Sequence, residues 1–115
     1  MNIVLYGIRN CDTVKKAMRW LESHQMEYTF HDFRIDGLNK NMLKDFLKQV
    51  DWEILLNKRT TTWHRLSESQ RNNIDESKAL KLMVEYPTLI KRPILNHGCK
   101  YSVGFSENQY EKIIL

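Results

Sequence analysis

The hydrophobic pattern opens with the run Ile3, Val4, Leu5 and Tyr6, closed by Gly7 and the polar pair Arg9 and Asn10. A short, partly β-branched run ended by turn residues predicts a buried strand. From Asp12 the spacing becomes helical: Val14, Ala17, Met18 and Leu21 recur with Lys15, Lys16, Arg19 and Glu22 between them. That spacing predicts an amphipathic helix, capped by either Asp12 or Thr13. Glu27 to Phe33 sets Tyr28, Phe30 and His31 among polar residues, as a second strand would. A strand, a crossover helix and a strand form a right-handed parallel unit.

Arg34-Ile35-Asp36-Gly37 leaves that strand, and the chain then turns helical. Asn39 or Asn41 starts a helix with Leu43, Phe46, Leu47 and Val50 on its apolar face, and Trp52, Ile54 and Leu55 suggest a further turn. Asn57-Lys58-Arg59 and Thr60-Thr61-Thr62 end it, Ser67 to Gln70 has capping-box spacing, and Asp75 or Glu76 opens a helix that Pro87 stops near Tyr86. Ile94-Leu95 and Tyr101-Ser102-Val103 read as strands around a turn of Asn96-His97-Gly98-Cys99, with Gly98 free to adopt positive φ. Ser106 caps a last helix from Glu107 to Ile114. The expected order is β-α-β, a helical middle at about residues 37–88, then β-β-α. The middle reads as an insertion docked on a mixed sheet within one domain.

A chain of 115 residues is long enough to bury one core without disulfides or metal. The two cysteines, Cys11 and Cys99, form neither a disulfide framework nor a zinc spacing, and no apolar run is of membrane-spanning length. A soluble, reducing, cytoplasmic setting is expected. The net charge of +4 is dispersed along the chain, so no nucleic-acid stripe or direct nucleic-acid binding is expected. His24, His31, His64 and His97 lack metal spacing, and Trp20, Trp52 and Trp63 read as packing residues.

Cys11 falls where the first strand turns into the first helix. Unpaired N–H groups and the positive end of the helix dipole favour an anion there, and the thiolate is the reactive form of cysteine. Lys15 and Arg9 support it, and Asp12 opposes it. A cysteine at such a turn is either this nucleophile or a small buried apolar residue. Lys58 and Arg59, with the threonines that follow, either cradle an anion or form a solvated loop.

Beyond these local readings, the sequence resembles the arsenate reductase (ArsC)-like family of thioredoxin-fold proteins, close to its YffB-like branch and more distantly the Spx regulators. The resemblance is carried by Tyr6 to Ala17 (YGIRNCDTVKKA), Trp20-Leu21, Leu56 to Arg59, Thr61 to Trp63, Ile90 to Ile94 (IKRPI) and Val103-Gly104-Phe105. It implies an α/β thioredoxin-like fold with β-α-β and β-β-α halves and a helical insertion. It further implies that Cys11 is the catalytic nucleophile, that Arg92 is catalytic by binding an anion or the thiolate, and that Pro93 is a cis proline facing Cys11. Asn10, Asp12, Thr13, Lys15, Lys58, Arg59 and Pro93 become the substrate-binding candidates.

The implied chemistry is thiol oxidoreduction, with glutathione as cosubstrate, glutathione or a glutaredoxin as external reductant, a small oxyanion or a mixed disulfide as substrate, and no tightly bound cofactor. Two departures shape the expectation. The family places an arginine after the glycine that is Gly104 here, where this chain has Phe105, and its earlier arginine aligns with Asn57, leaving Lys58 or Arg59 nearby. Three converging cations suit an oxyanion, so arsenate reduction is expected to be weak. The position of a CxxC partner holds Val14, and Cys99 belongs to a hairpin at the far end of the sheet, beyond the roughly 7 Å that a disulfide allows. The alternative implied by the resemblance is an Spx-like, non-enzymatic protein that binds transcription machinery.

Overall fold

In the computed structural model, which describes residues 2–115, the opening apolar run is strand β1, Ile3–Gly7. It lies in the middle of a four-stranded sheet of order β2-β1-β3-β4, in which β2 is Thr29–Asp32, β3 Ile94–His97 and β4 Lys100–Val103. β2 runs parallel to β1, from Val4 opposite Thr29 to Gly7 opposite Asp32. β3 runs antiparallel, with Tyr6 opposite Ile94 and Ile3 opposite His97, and β4 returns beside it. This is the expected mixed sheet of a thioredoxin-like α/β fold. β2 is shorter than Glu27 to Phe33 because β1 offers its first partner only at Val4, and beyond Asp32 the chain bends into a turn.

Helix α1, Asp12–Ser23, and helix α7, Glu107–Ile114, complete this unit, which combines the chain up to Gly37 with Arg92–Leu115. Val14, Ala17, Trp20 and Leu21 of α1 bury themselves with Ile3, Leu5, Leu95 and Tyr110. Full burial of a Val or Leu side chain contributes about 1.5–3 kcal/mol relative to exposure, so this helical stripe holds α1 to the sheet. The approach is close. A Cβ added at Gly7 would stand 2.8 Å from Val14 Cγ2, which is why the strand ends on glycine. The hairpin turn is tighter than the sequence suggests. Asn96 and His97 remain paired in β3, leaving only Gly98 and Cys99, at φ 57° and 67°, between the strands. Two left-handed residues match the twist of a hairpin.

The second unit is Leu38–Lys91. It contains α2 (Lys40–Leu47), α3 (Trp52–Leu55), α4 (Thr61–Arg65), α5 (Glu68–Arg71) and α6 (Glu76–Glu85), followed by a 3₁₀ turn at Pro87–Leu89. Asn39 and Asp75 cap α2 and α6, accepting from the Met42 and Lys78 N–H at 2.9 and 2.8 Å, and Ser67 with Gln70 forms a full capping box. The threonine run is not a loop. Thr60 caps α4 by accepting from the Trp63 N–H at 3.1 Å, and the helix carries Trp63 inward, where only 9% of it is exposed. α6 packs on α2 and α3 through a core that includes Leu43, Phe46, Leu55, Leu82 and Met83.

Candidate thiol site

Cys11 is itself the N-cap of α1. Its backbone is extended, at φ −139° and ψ 125°, and its carbonyl accepts from the Lys15 N–H at 2.9 Å. Asp12 and Thr13 lie inside the helix, so the expected cap is displaced onto the cysteine, and no side chain caps the first turn. The N–H groups that Ser, Thr, Asp or Asn would occupy are left to the sulfur or to a ligand. Cys11 is half-buried and packs against the apolar cluster beneath α1.

The sheet register brings Arg92 and Pro93 to the same end. β3 begins at Ile94 opposite Tyr6, so the two residues before it lie at the edge from which β1 runs through Gly7 to Cys11. The Arg92–Pro93 peptide is cis, Pro93 is buried, and its carbonyl accepts from the Gly104 N–H at 2.8 Å. The Nε and Nη1 atoms of Arg92 are buried without a hydrogen-bond partner. Buried guanidinium donors left unmatched are costly; planar donors of this kind fit a carboxylate or another oxyanion.

The β1–α1 loop is held by a residue that the sequence reading passed over. Asp32 is only 2% exposed. Its Oδ2 accepts from the Arg9 N–H at 2.9 Å, and its Oδ1 accepts from the Arg34 and Ile35 N–H groups at 2.8 and 3.3 Å. Burial pushes this carboxyl up. The three N–H groups and the Arg9 charge outweigh burial and hold it below the usual carboxylate range. The available signal was an Asp at the end of a strand before Arg34-Ile35-Asp36-Gly37, since Asp accepts hydrogen bonds from the backbone that follows it.

The family model described as ArsC family matches residues 6–113, a span that takes in both Cys11 and Arg92. The chain belongs to the ArsC family. It is 49% identical over 109 residues to an uncharacterized protein of Haemophilus influenzae, covering 95% of this chain and 96% of that one. The global transcriptional regulator Spx 1 of Lactococcus lactis is more distant, 27% identical with 93% and 84% covered. Among solved structures, the YFFB (PA3664) protein superposes with a TM-score of 0.94 at 40% identity, covering 98% of this chain and 99% of that chain.

Against the family pattern, the remaining candidates divide. Asn10, Asp12 and Lys15 are exposed beside Cys11 in sequence, and Thr13 is half-buried in the first turn of α1. Arg9 places its guanidinium 5.6 Å from the centre of the Phe30 ring, a position set by β2. Lys58 and Arg59 belong to the second unit, in an Asn57 turn where the Asn57 side chain accepts from the Arg59 N–H at 3.0 Å. Lys58 Nζ lies 5.5 Å from the centre of the Trp63 ring, a cation–π contact, while Arg59 is exposed. Phe105, where the ArsC pattern has arginine, sets its edge against Tyr110 with ring centres 4.7 Å apart and planes at 87°. It serves the core of its unit.

Cys99 sits at the hairpin tip, exposed, at the end of the sheet where His97 faces Ile3. Three steps of about 3.3 Å along β1 separate that end from the Tyr6 end, and no disulfide joins the cysteines. Among the described residues, no group of three or more His, Cys, Asp or Glu could hold a metal, and no helix is long and apolar enough to cross a membrane.

Proposed function

We propose that this chain is a monothiol disulfide reductase that uses Cys11 as nucleophile and glutathione, free or delivered by a glutaredoxin, as external reductant. The observation that carries the reading is the placement, at one sheet end, of an uncapped helix start bearing a cysteine and of an arginine whose Nε and Nη1 are buried without a partner. The Cys11 thiolate attacks the glutathionyl sulfur of a mixed disulfide. A Cys11–glutathione disulfide forms, and the substrate sulfur leaves as thiolate and takes a proton. A glutathione thiolate then attacks the adduct, releasing the Cys11 thiolate and oxidised glutathione. Across the cycle one disulfide bond is exchanged for another: the substrate sulfur ends as a thiol, one free glutathione is consumed, and oxidised glutathione carries both that glutathione and the one released from the substrate.

Arg92 supports both steps by pairing with a glutathione carboxylate or with the thiolate. Asn10, Thr13 and Lys15 border the bound tripeptide, and Asp12 limits the positive potential there. Cys99 takes no part, so the resolving thiol comes from outside, as a reducing compartment such as the cytoplasm provides. Arsenate is a poor substrate, because Phe105 stands where the resemblance implies one of the three cations that an oxyanion site uses. The test is turnover of a glutathionylated peptide, followed by oxidised-glutathione production. Activity should vanish in Cys11→Ser, persist in Cys99→Ser, and fall about tenfold or more in Arg92→Ala, the rate equivalent of roughly 1.4 kcal/mol. Equal labelling of both cysteines by oxidised glutathione, or an unchanged rate in Arg92→Ala, overturns the reading.

A further inference from the structure

The β1–α1 loop has two backbone anchors: the Gly7 carbonyl accepts from the Phe33 N–H at 2.8 Å, and the Cys11 carbonyl accepts from the Lys15 N–H at 2.9 Å. Between them the loop is held by Ile8, which is 5% exposed, and by the Arg9 N–H donated to Asp32 Oδ2. The Asp32 backbone is fixed in turn. Its N–H donates to Asp36 Oδ2 at 2.8 Å and its carbonyl accepts from the Asp36 N–H at 2.7 Å. A charged acceptor buried at the end of β2 thus reaches across to the residue two positions before the candidate nucleophile.

We infer that Asp32 is a positioning residue for Cys11: by accepting the Arg9 N–H it fixes Ile8 to Asn10, and with them the direction from which the Cys11 sulfur meets a bound disulfide. This inference rests on the reductase reading. Thiol–disulfide exchange needs the attacking sulfur aimed at one particular sulfur of the substrate, and small misplacements of a reacting group cost large factors in rate. A freely diffusing alkylating agent, by contrast, can meet the thiol from any open side.

The two carboxylate oxygens are used separately, so one isostere divides their roles. In Asp32→Asn the Oδ1 atom can still accept from Arg34 and Ile35, keeping the turn, while the amide group that replaces Oδ2 presents N–H to the Arg9 N–H. Of the three hydrogen bonds to the side chain only the clamp on the loop is lost, together with the carboxylate charge, whose effect on the thiol the alkylation rate reads. The expected result is a kcat for glutathionylated peptide lowered tenfold or more, with KM changed less than twofold and the iodoacetamide rate at Cys11 changed less than threefold. Alkylation falling in parallel with kcat overturns positioning in favour of an electrostatic effect on the thiol. An active wild type whose kcat is untouched by Asp32→Asn overturns this inference alone, whereas an inert wild type overturns the reductase reading and this one with it. A measurement on the wild-type protein guards against a variant that does not fold: the Arg9 amide, on an exposed residue, should exchange with solvent at least tenfold more slowly than an unprotected amide, and unprotected exchange overturns the clamp.

Discussion

Arg92→Met separates what Arg92 costs the fold from what it contributes to the site. Nε and Nη1 carry three of the five guanidinium N–H donors, and both atoms are buried without a partner. Leaving buried donors unmatched costs about 1–3 kcal/mol, more for a charged group. Methionine retains most of the apolar stem, which packs whether or not the charge is present. Arg92→Met is therefore expected to stabilise the ligand-free protein by about 1–3 kcal/mol, or roughly 4 °C in Tm per kcal/mol for a chain of this size, while reductase turnover falls tenfold or more.

The assay is urea unfolding monitored by fluorescence and circular dichroism, with and without an S-alkylated glutathione that cannot form a disulfide. At a hundred times its dissociation constant, such a ligand stabilises a protein by about 2.7 kcal/mol. Wild type should gain that increment and Arg92→Met should lose most of it. A variant less stable than wild type by 1 kcal/mol or more, with an undiminished response to the ligand, would show that the guanidinium is matched in solution and does not serve the site.

Tyr110 is fully buried and its hydroxyl has no partner, so Tyr110→Phe, which keeps the ring contacts to Trp20 and Phe105, should stabilise by about 1–3 kcal/mol. Burial drives the Tyr110 ionisation up; the unfolded tyrosine releases its proton from about pH 10 while the folded one keeps it. Wild type therefore loses stability as pH rises past 10, and equal alkaline slopes in the two proteins would refute this account. Cys99→Gly at φ 67° should add about 1 kcal/mol by relieving the left-handed backbone, read as a higher urea midpoint at unchanged slope. Asp32, held below the usual range, contributes stability above its unfolded value of about 3.9 that is lost as pH falls toward the lower folded value; urea midpoints across acid pH should lose this component in Asp32→Asn. Phe105→Arg should cost about 0.5–1.5 kcal/mol for the lost edge-to-face contact with Tyr110, and should strengthen arsenate protection of Cys11 from alkylation, a charged hydrogen bond being worth roughly 1.5–3 kcal/mol.

Periodicity alone determined much of the frame. Ile3 to Tyr6, the Val14–Ala17–Leu21 stripe, the Ser106 cap and the Ser67–Gln70 box are local patterns, and each formed where its own residues specify it, while Asn39 rather than Asn41 and Asp75 rather than Glu76 took the caps that the sequence left between two residues. The cysteine at the strand-to-helix turn was equally legible, because strand and helix signals meet there. What the sequence could not decide depends on distant partners. The cap of α1 passed to Cys11, and the length of β2 was fixed by where β1 begins to offer hydrogen bonds. Thr60 to Thr62 became a helix start because Trp63 had an interior to enter. Arg9, a plausible thiolate partner in sequence, was drawn over Phe30 of the neighbouring strand, and Asp32 acquired its role only when parallel pairing carried it beside the loop before Cys11. Local propensity sets which elements form; the pairing of residues far apart in the chain sets which groups are left buried without a partner, among them Nε and Nη1 of Arg92 beside the Cys11 end of the sheet.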